Sequence, residues 1–255
     1  MAQEGISLET PRFEIGKVIS TSIAVFGRNL VPMSVIAVVI GIPYILVNLW
    51  TLGSVDPAEI EQTGQLPNGF WGMVAVGTVI YLLTYMLTQS AIIFATLQDL
   101  RGQKARFGDC LARGLAVLPQ VVVAALLATI AVMIGMMLLL VPGIILMLMW
   151  WVFVPAVVVE GAGITGCFGR SRELTRGHRW GILGLLLIVF VVEWVISFVL
   201  GLLGALLGQT GAEIVNLLVV LVLSAFASVM VAVGYYYLRA EKEGIVVDDI
   251  AKIFD

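Results

Sequence analysis

Apolar residues along this chain fall into blocks of about 20, the length at which an α-helix crosses the hydrocarbon of a bilayer. Windows of that size place six candidate spans at 30–52, 70–98, 119–140, 143–159, 180–207 and 212–238. Within each block the apolar run is continuous and does not alternate, so the pattern predicts helices and not barrel strands. The expected fold class is all-α, a polytopic membrane protein of six transmembrane helices in a single integral domain over 1–255. Pro142 and Gly143 mark a tight hairpin between the third and fourth spans.

A second, helical period lies just ahead of three of the spans. Ile15, Val18, Ile19, Ser22, Val25 and Phe26 share one arc of a helix, as do Phe107, Cys110, Leu111, Gly114, Val117 and Leu118, and again Ile164, Cys167, Phe168, Ser171, Leu174 and Thr175. Each arc carries one small residue, Ser22, Gly114 or Ser171, at the same point, which favours close packing against another helix. The chain therefore reads as three hairpin units, about 12–98, 104–159 and 162–240, each preceded by a short cytoplasmic interfacial helix, with 241–255 as a cytoplasmic tail. Such helices serve either as elbows that redirect the chain or as a surface for lipid headgroups or a partner.

Charge orients this arrangement. Arg12, Lys17 and Arg28 precede span one; Arg101, Lys104, Arg106 and Arg113 lie between spans two and three; Arg170, Arg172, Arg176 and Arg179 between four and five; Arg239, Lys242 and Lys252 after six. Those are all 14 basic residues, on one side, while the opposite loops hold only Asp56, Glu59, Glu61 and Glu213. The asymmetry predicts that both termini are cytoplasmic, with Asp56 and Gln209 facing outward, in a bacterial inner membrane. The opening MAQEGISLETPRFEIGK has three glutamates and no apolar leader core, so no cleaved signal peptide is expected.

Composition adds exclusions. The chain is 60% hydrophobic and 12% charged with mean hydropathy +1.07, and a net charge of −3 gives no reason to expect nucleic acid. Cys110 and Cys167 lie in cytoplasmic segments, read as small core residues without a disulfide. No Cys/His spacing suggests a metal, and no cofactor is expected.

Glu193 is the one ionisable residue well inside a span, about 20 Å of helix beyond Arg179. An intramembrane carboxylate is costly and no Lys, Arg or His lies at its depth, so a neutral acid held by hydroxyls of Thr84, Tyr85, Ser224 or Ser228 is expected. Helix glue, a lipid or ligand contact in a lateral cleft and a proton-coupled step all remain open for it. Glu160 is expected to pair with an arginine of the helix that follows, and Arg170, Arg172, Arg176 and Arg179 are candidate contacts for anionic headgroups. Trp150, Trp151 and Trp194 are expected to pack in the bundle, whereas Trp50, Trp71, Trp180 and Tyr235 to Tyr237 suit the interfaces.

The run PGIILMLMWWVFVPAVVVEGAGITGCFGRSRELTRGHRWGILGL resembles the membrane-domain family of glycerophosphoryl diester phosphodiesterases and its stand-alone bacterial relatives of unknown function. Pro142, Gly143, Pro155, Glu160, Gly161, Ser171, Leu174, Thr175, Gly177 and Trp180 carry the resemblance, with the closing YYYLRAEKEG. It covers the second half of the chain well and the first half only by architecture. What it implies is a membrane module without its enzyme, because a metal-dependent hydrolase needs several histidines and carboxylates and this chain has one histidine, His178. The expected function is non-enzymatic, in membrane organisation or lipid handling, with membrane lipids as partners. Two alternatives stand beside it: a small-solute or lipid transporter with a cavity around Glu193, and a scaffold or assembly partner of another membrane protein.

Overall fold

The computed structural model describes residues 12–54 and 69–244, and within them all side chains except those at 52, 201–210 and 212–214. The expectations for Asp56, Glu59, Glu61 and Lys252, and for the side chains of Gln209 and Glu213, lie outside the described residues. Among those described there is no strand. The chain forms α1 (Ile15–Arg28), α2 (Leu30–Gly53), α3 (Phe70–Leu100), α4 (Phe107–Leu138), α5 (Leu140–Met149), α6 (Phe153–Glu160), α7 (Gly163–Thr175) and α8 (Arg179–Glu243).

Six stretches are long and apolar enough to cross a membrane: Leu30–Thr51, Phe70–Leu100, Phe107–Leu138, Leu140–Glu160, Arg179–Leu200 and Val215–Glu243. Large apolar side chains such as Leu126, Met133, Leu187, Phe190 and Val195 stay exposed around the bundle. Water would penalise a surface of that kind and lipid tails do not.

The last two spans belong to one helical run of 65 residues. A straight helix of that length would measure about 97 Å. Yet His178 Nε2 lies 3.2 Å from Glu241 Oε1, so α8 doubles back and its halves form the third hairpin. At the second hairpin Gly143 allows the close approach: a Cβ there would come within 2.7 Å of the Met136 backbone nitrogen.

The three arcs hold as packing faces. Val18, Ser22 and Val25 are buried on α1, Cys110, Gly114 and Val117 on α4, and Cys167, Ser171 and Leu174 on α7, the same three positions each time. One expectation changes. In the second unit the arc is no separate helix, because α4 runs unbroken from Phe107 through Pro119 into the span. In the other two units Asn29 and the Arg176-Gly177-His178 turn interrupt the helix at the corresponding junction.

Span four is in two pieces, α5 and α6, separated by a turn at Trp150–Val152. Pro155 has no N–H to give Trp151, which removes a rung of the ladder just there. The turn also leaves the Met149 carbonyl and the Val152 N–H outside the helical ladder, and in hydrocarbon such groups need other partners. Helix α7 supplies them: Ser171 Oγ donates to the Met149 carbonyl at 2.9 Å and accepts the Val152 N–H at 3.3 Å, and Thr175 Oγ1 lies 3.1 Å from the same carbonyl. The α6–α7 connection turns on Gly161 and Gly163, at φ of 61° and 67°, which only glycine adopts without strain.

Candidate functional site

Helix ends gather the ionic residues at one end of the bundle. Arg28 Nε donates to Asp99 Oδ2 at 2.9 Å and Asn29 Nδ2 to Asp99 Oδ1 at 2.9 Å, which clasps the α1–α2 joint to the end of α3. Arg113 donates from Nε to the Val158 carbonyl at 3.0 Å, tying α4 to the end of α6. Between them lies a tighter network: Arg170 Nε meets Glu160 Oε2 at 2.8 Å and Arg170 also pairs with Glu243, while Tyr235 Oη donates to Glu160 Oε1 at 2.5 Å and Arg239 Nε to Glu243 Oε2 at 2.8 Å. Burial alone would lower the Arg170 pKa, but its hydrogen bonds to Glu243 and Glu160 outweigh that and raise it above the ordinary guanidinium value. These five side chains hold one another in place, so the network is a clasp between α6, α7 and the end of α8.

That geometry corrects the candidate headgroup set. Glu160 pairs with Arg170 as expected, and for that reason Arg170 is spent inside the protein. Arg172 and Arg176 are exposed, and Arg179 is half-buried with its Nε unpartnered among the described residues. Trp180 is 85% exposed and suits an interface, but Tyr235 is buried on Glu160. Trp151 packs on Gly234 and Trp150 on Phe168, whereas Trp194 is 64% exposed and stacks on Phe198, outside the bundle.

The motif residues divide by role: Gly143, Pro155, Gly161, Ser171 and Thr175 shape the second hairpin and the break in span four, Leu174 is fully buried, and Gly177 turns the chain at φ 96°. Pro142 opens the first turn of α5, where a missing N–H costs nothing.

Around Glu193 the expected hydroxyl partners do not form. Ser224 donates to Leu221 and Ser228 to Ser224, each within its own helix, and Thr84 is buried in α3. Among the described residues no hydrogen bond or ion pair reaches the Glu193 carboxylate. Tyr85 and Tyr81 lie within its electrostatic reach, though neither phenol bonds it. Tyr81 in turn packs on Tyr85, with ring centroids 6.0 Å apart, and on Tyr44, at 4.9 Å.

The Tyr44–Tyr81 pair opens onto a feature the sequence reading missed, a cleft of about 240 Å³ between α2 and α3 lined by Asn48, Thr51, Met73 and Thr78 as well as the two tyrosines. A signal for it was present. Tyr44, Asn48 and Thr51 share one face of span one, and Thr78, Tyr81 and Tyr85 one face of span two, at helical spacing. Among the described residues no three His, Cys, Asp or Glu side chains come together as a metal site would require.

Six apolar crossings with the ionic helix ends gathered at one pole define a multi-pass, all-α membrane protein. Residues 108–241, just over half of the chain, match the family described as domain of unknown function DUF7847, and the chain belongs to that family. No curated protein and no solved structure matches it.

Proposed function

We propose that this is a non-enzymatic protein of a bacterial inner membrane, with both termini cytoplasmic, that organises the membrane or handles lipid at the cytoplasmic leaflet. The observation that carries the reading is the division among its cations. Arg28, Arg113, Arg170 and Arg239 are bonded within the fold, while Lys104, Arg106, Arg172 and Arg176 are exposed around the same pole, beside Trp180. Each basic residue near an anionic surface contributes about 1 kcal/mol, so four together favour anionic lipid there. The resemblance to the membrane domain of glycerophosphoryl diester phosphodiesterases supports the same reading.

The test is native mass spectrometry of the full chain purified from its own membrane. Anionic phospholipid is expected to copurify, and Lys at 172, 176 and 179 is expected to keep insertion but weaken that retention, because lysine lacks the planar fork that grips a phosphate. Equal retention by the Arg and Lys forms would reduce these arginines to a topology signal. Orientation is checked separately in a chain freed of Cys110 and Cys167. An introduced cysteine at 56 or 209 should react with an impermeant thiol reagent in intact cells, and one at 106 should not.

A transport reading stands second, favoured by the cleft whose wall residue Tyr81 neighbours Glu193.

A further inference from the structure

We propose that the cavity between the end of α3, α4 and α6 binds a phosphate group, with Arg101 and Arg113 as its counter-charges. The inference deepens the lipid reading, on which it rests for the level of the cavity in the membrane, and places the phosphate in a built site instead of at the exposed rim.

This cavity of about 250 Å³ is lined by two guanidiniums and no carboxylate: Arg101 closes α3, Arg113 comes from α4, and the amide of Gln98 lies beside them. Arg113 donates from Nε and Nη2 to the Val158 carbonyl, at 3.0 and 2.5 Å. That contact fixes the guanidinium but neutralises nothing, since a carbonyl carries no charge, and the donors on its other edge make no bond among the described residues. The carboxylates next to the lining in sequence are already taken, Asp99 by Arg28 and Asn29, Glu160 by Arg170 and Tyr235. Asp109, one turn before Arg113 on α4, is exposed and forms no ion pair with it. Gln98 Oε1 is buried without a hydrogen-bond partner among the described residues, so a guest that carries a hydroxyl beside its negative charge satisfies that atom too.

Electrostatics agrees with the geometry. Burial first, and the neighbouring guanidinium of Arg239 second, hold the Arg101 pKa below its ordinary value, and an anion between Arg101 and Arg113 offsets both effects. Phosphate suits the pair because its tetrahedral oxygens can meet two planar forks at once. The walls describe the rest of the guest. Phe94 and Leu97 belong to the crossing Phe70–Leu100 and Val159 to Leu140–Glu160, so the cavity runs from guanidiniums at the helix ends onto apolar surface within the spans. A charged head with hydrocarbon behind it matches that gradient. The phosphate itself belongs equally to a phospholipid and to the free anion, and the experiment separates them.

The full chain is purified in dodecyl maltoside, which carries no phosphate, and titrated calorimetrically at constant ionic strength with dioctanoyl phosphatidic acid, dioctanoylglycerol and inorganic phosphate, each corrected with protein-free micelles. Saturable binding is expected for phosphatidic acid and not for dioctanoylglycerol. Arg101→Gln should weaken it roughly tenfold or more, and so should Val159→Phe, which fills the cavity without changing any charge. The two variants perturb charge and shape separately, and a melting temperature identifies which of them is folded, so either one decides if the other fails to fold. Arg172→Lys, Arg176→Lys and Arg179→Lys together should leave this binding in place. Equal binding of phosphatidic acid and dioctanoylglycerol, full affinity in a folded Arg101→Gln or Val159→Phe variant, or no saturable binding of either phosphate probe overturns the proposal. If excess inorganic phosphate displaces the lipid, the site takes the anion by itself. If it does not, the phosphate comes from a lipid headgroup. Full affinity in Arg101→Gln together with loss in the triple lysine form would sink the cavity and leave the lipid reading standing at the rim, so the two fail separately.

Discussion

Ser171 donates its hydroxyl proton to the carbonyl of Met149 at 2.9 Å while accepting the Val152 N–H, so one side chain on α7 closes both sides of the break in span four. Ser171→Ala leaves a buried carbonyl and N–H without that partner and should cost roughly 1–3 kcal/mol. Thr175→Val should cost less, because Thr175 only shares the Met149 carbonyl. Unfolding in detergent by denaturant gives both values, and equal stability of Ser171→Ala and the wild type would remove the hydroxyl from the account.

Arg170 holds Glu160 and Glu243 together with its side chain 19% exposed. Replacing it by Leu leaves Glu160 without a counter-charge, held only by Tyr235, while Glu243 keeps Arg239, and is expected to cost about 2 kcal/mol. Adding Glu160→Gln to that variant should recover part of the loss, since the stranded charge is then gone. A double-mutant cycle measures the coupling, and simple additivity would contradict the network.

Glu193 departs from the sequence-based expectation at one of two variants. Hydroxyl partners would make Glu193→Leu destabilising and Glu193→Gln neutral. Because Ser224 and Ser228 instead bond their own helix, both variants should keep stability within about 0.5 kcal/mol. A melting temperature that falls for Leu and not for Gln would restore the hydrogen-bonded acid.

Gly143→Ala tests the hairpin turn. The new methyl would meet Met136 at its backbone nitrogen, 2.7 Å away, as well as at its side chain. Backbone cannot step aside as a side-chain tip can, so the turn must open, at an expected cost of about 1–3 kcal/mol.

Cys167 is fully buried, and burial pushes its thiol above the ordinary value; Cys110 is buried as well. A folded sample at neutral pH should therefore resist maleimide at both positions and take up two labels only on unfolding. Rapid labelling of the native protein would show that one of these faces opens.

Much of the fold was legible because lipid leaves few choices: apolar blocks of span length must be helices, and the arcs at Val18, Cys110 and Cys167 repeat what each face must bury. The break at Trp150–Val152 was not, since hydropathy is continuous across it and its cause, Pro155, sits several residues further on. Nor was the fate of the charges. Sequence places Arg170 beside Arg172, but only the return of α8 brings Glu243 to the first and leaves the second exposed. The cleft at Tyr44 and Tyr81 escaped notice because its polar residues are scattered singly through two apolar spans and become a lining only when those spans pair.

The return of α8 also bears on how the molecule is made. The backbone nitrogen of Phe13, at the head of α1, donates to Glu241 at 2.8 Å, a contact across 228 positions of sequence. A ribosome delivers α1 long before Glu241, so this helix must wait for that partner through the synthesis of every hairpin between. Closure over α1 thus comes only after the whole of α8 has been made. Until then α1 depends on the bilayer surface or on a chaperone to shield Val18 and Val25, and the last residues of α8 act as the latch that ends the wait.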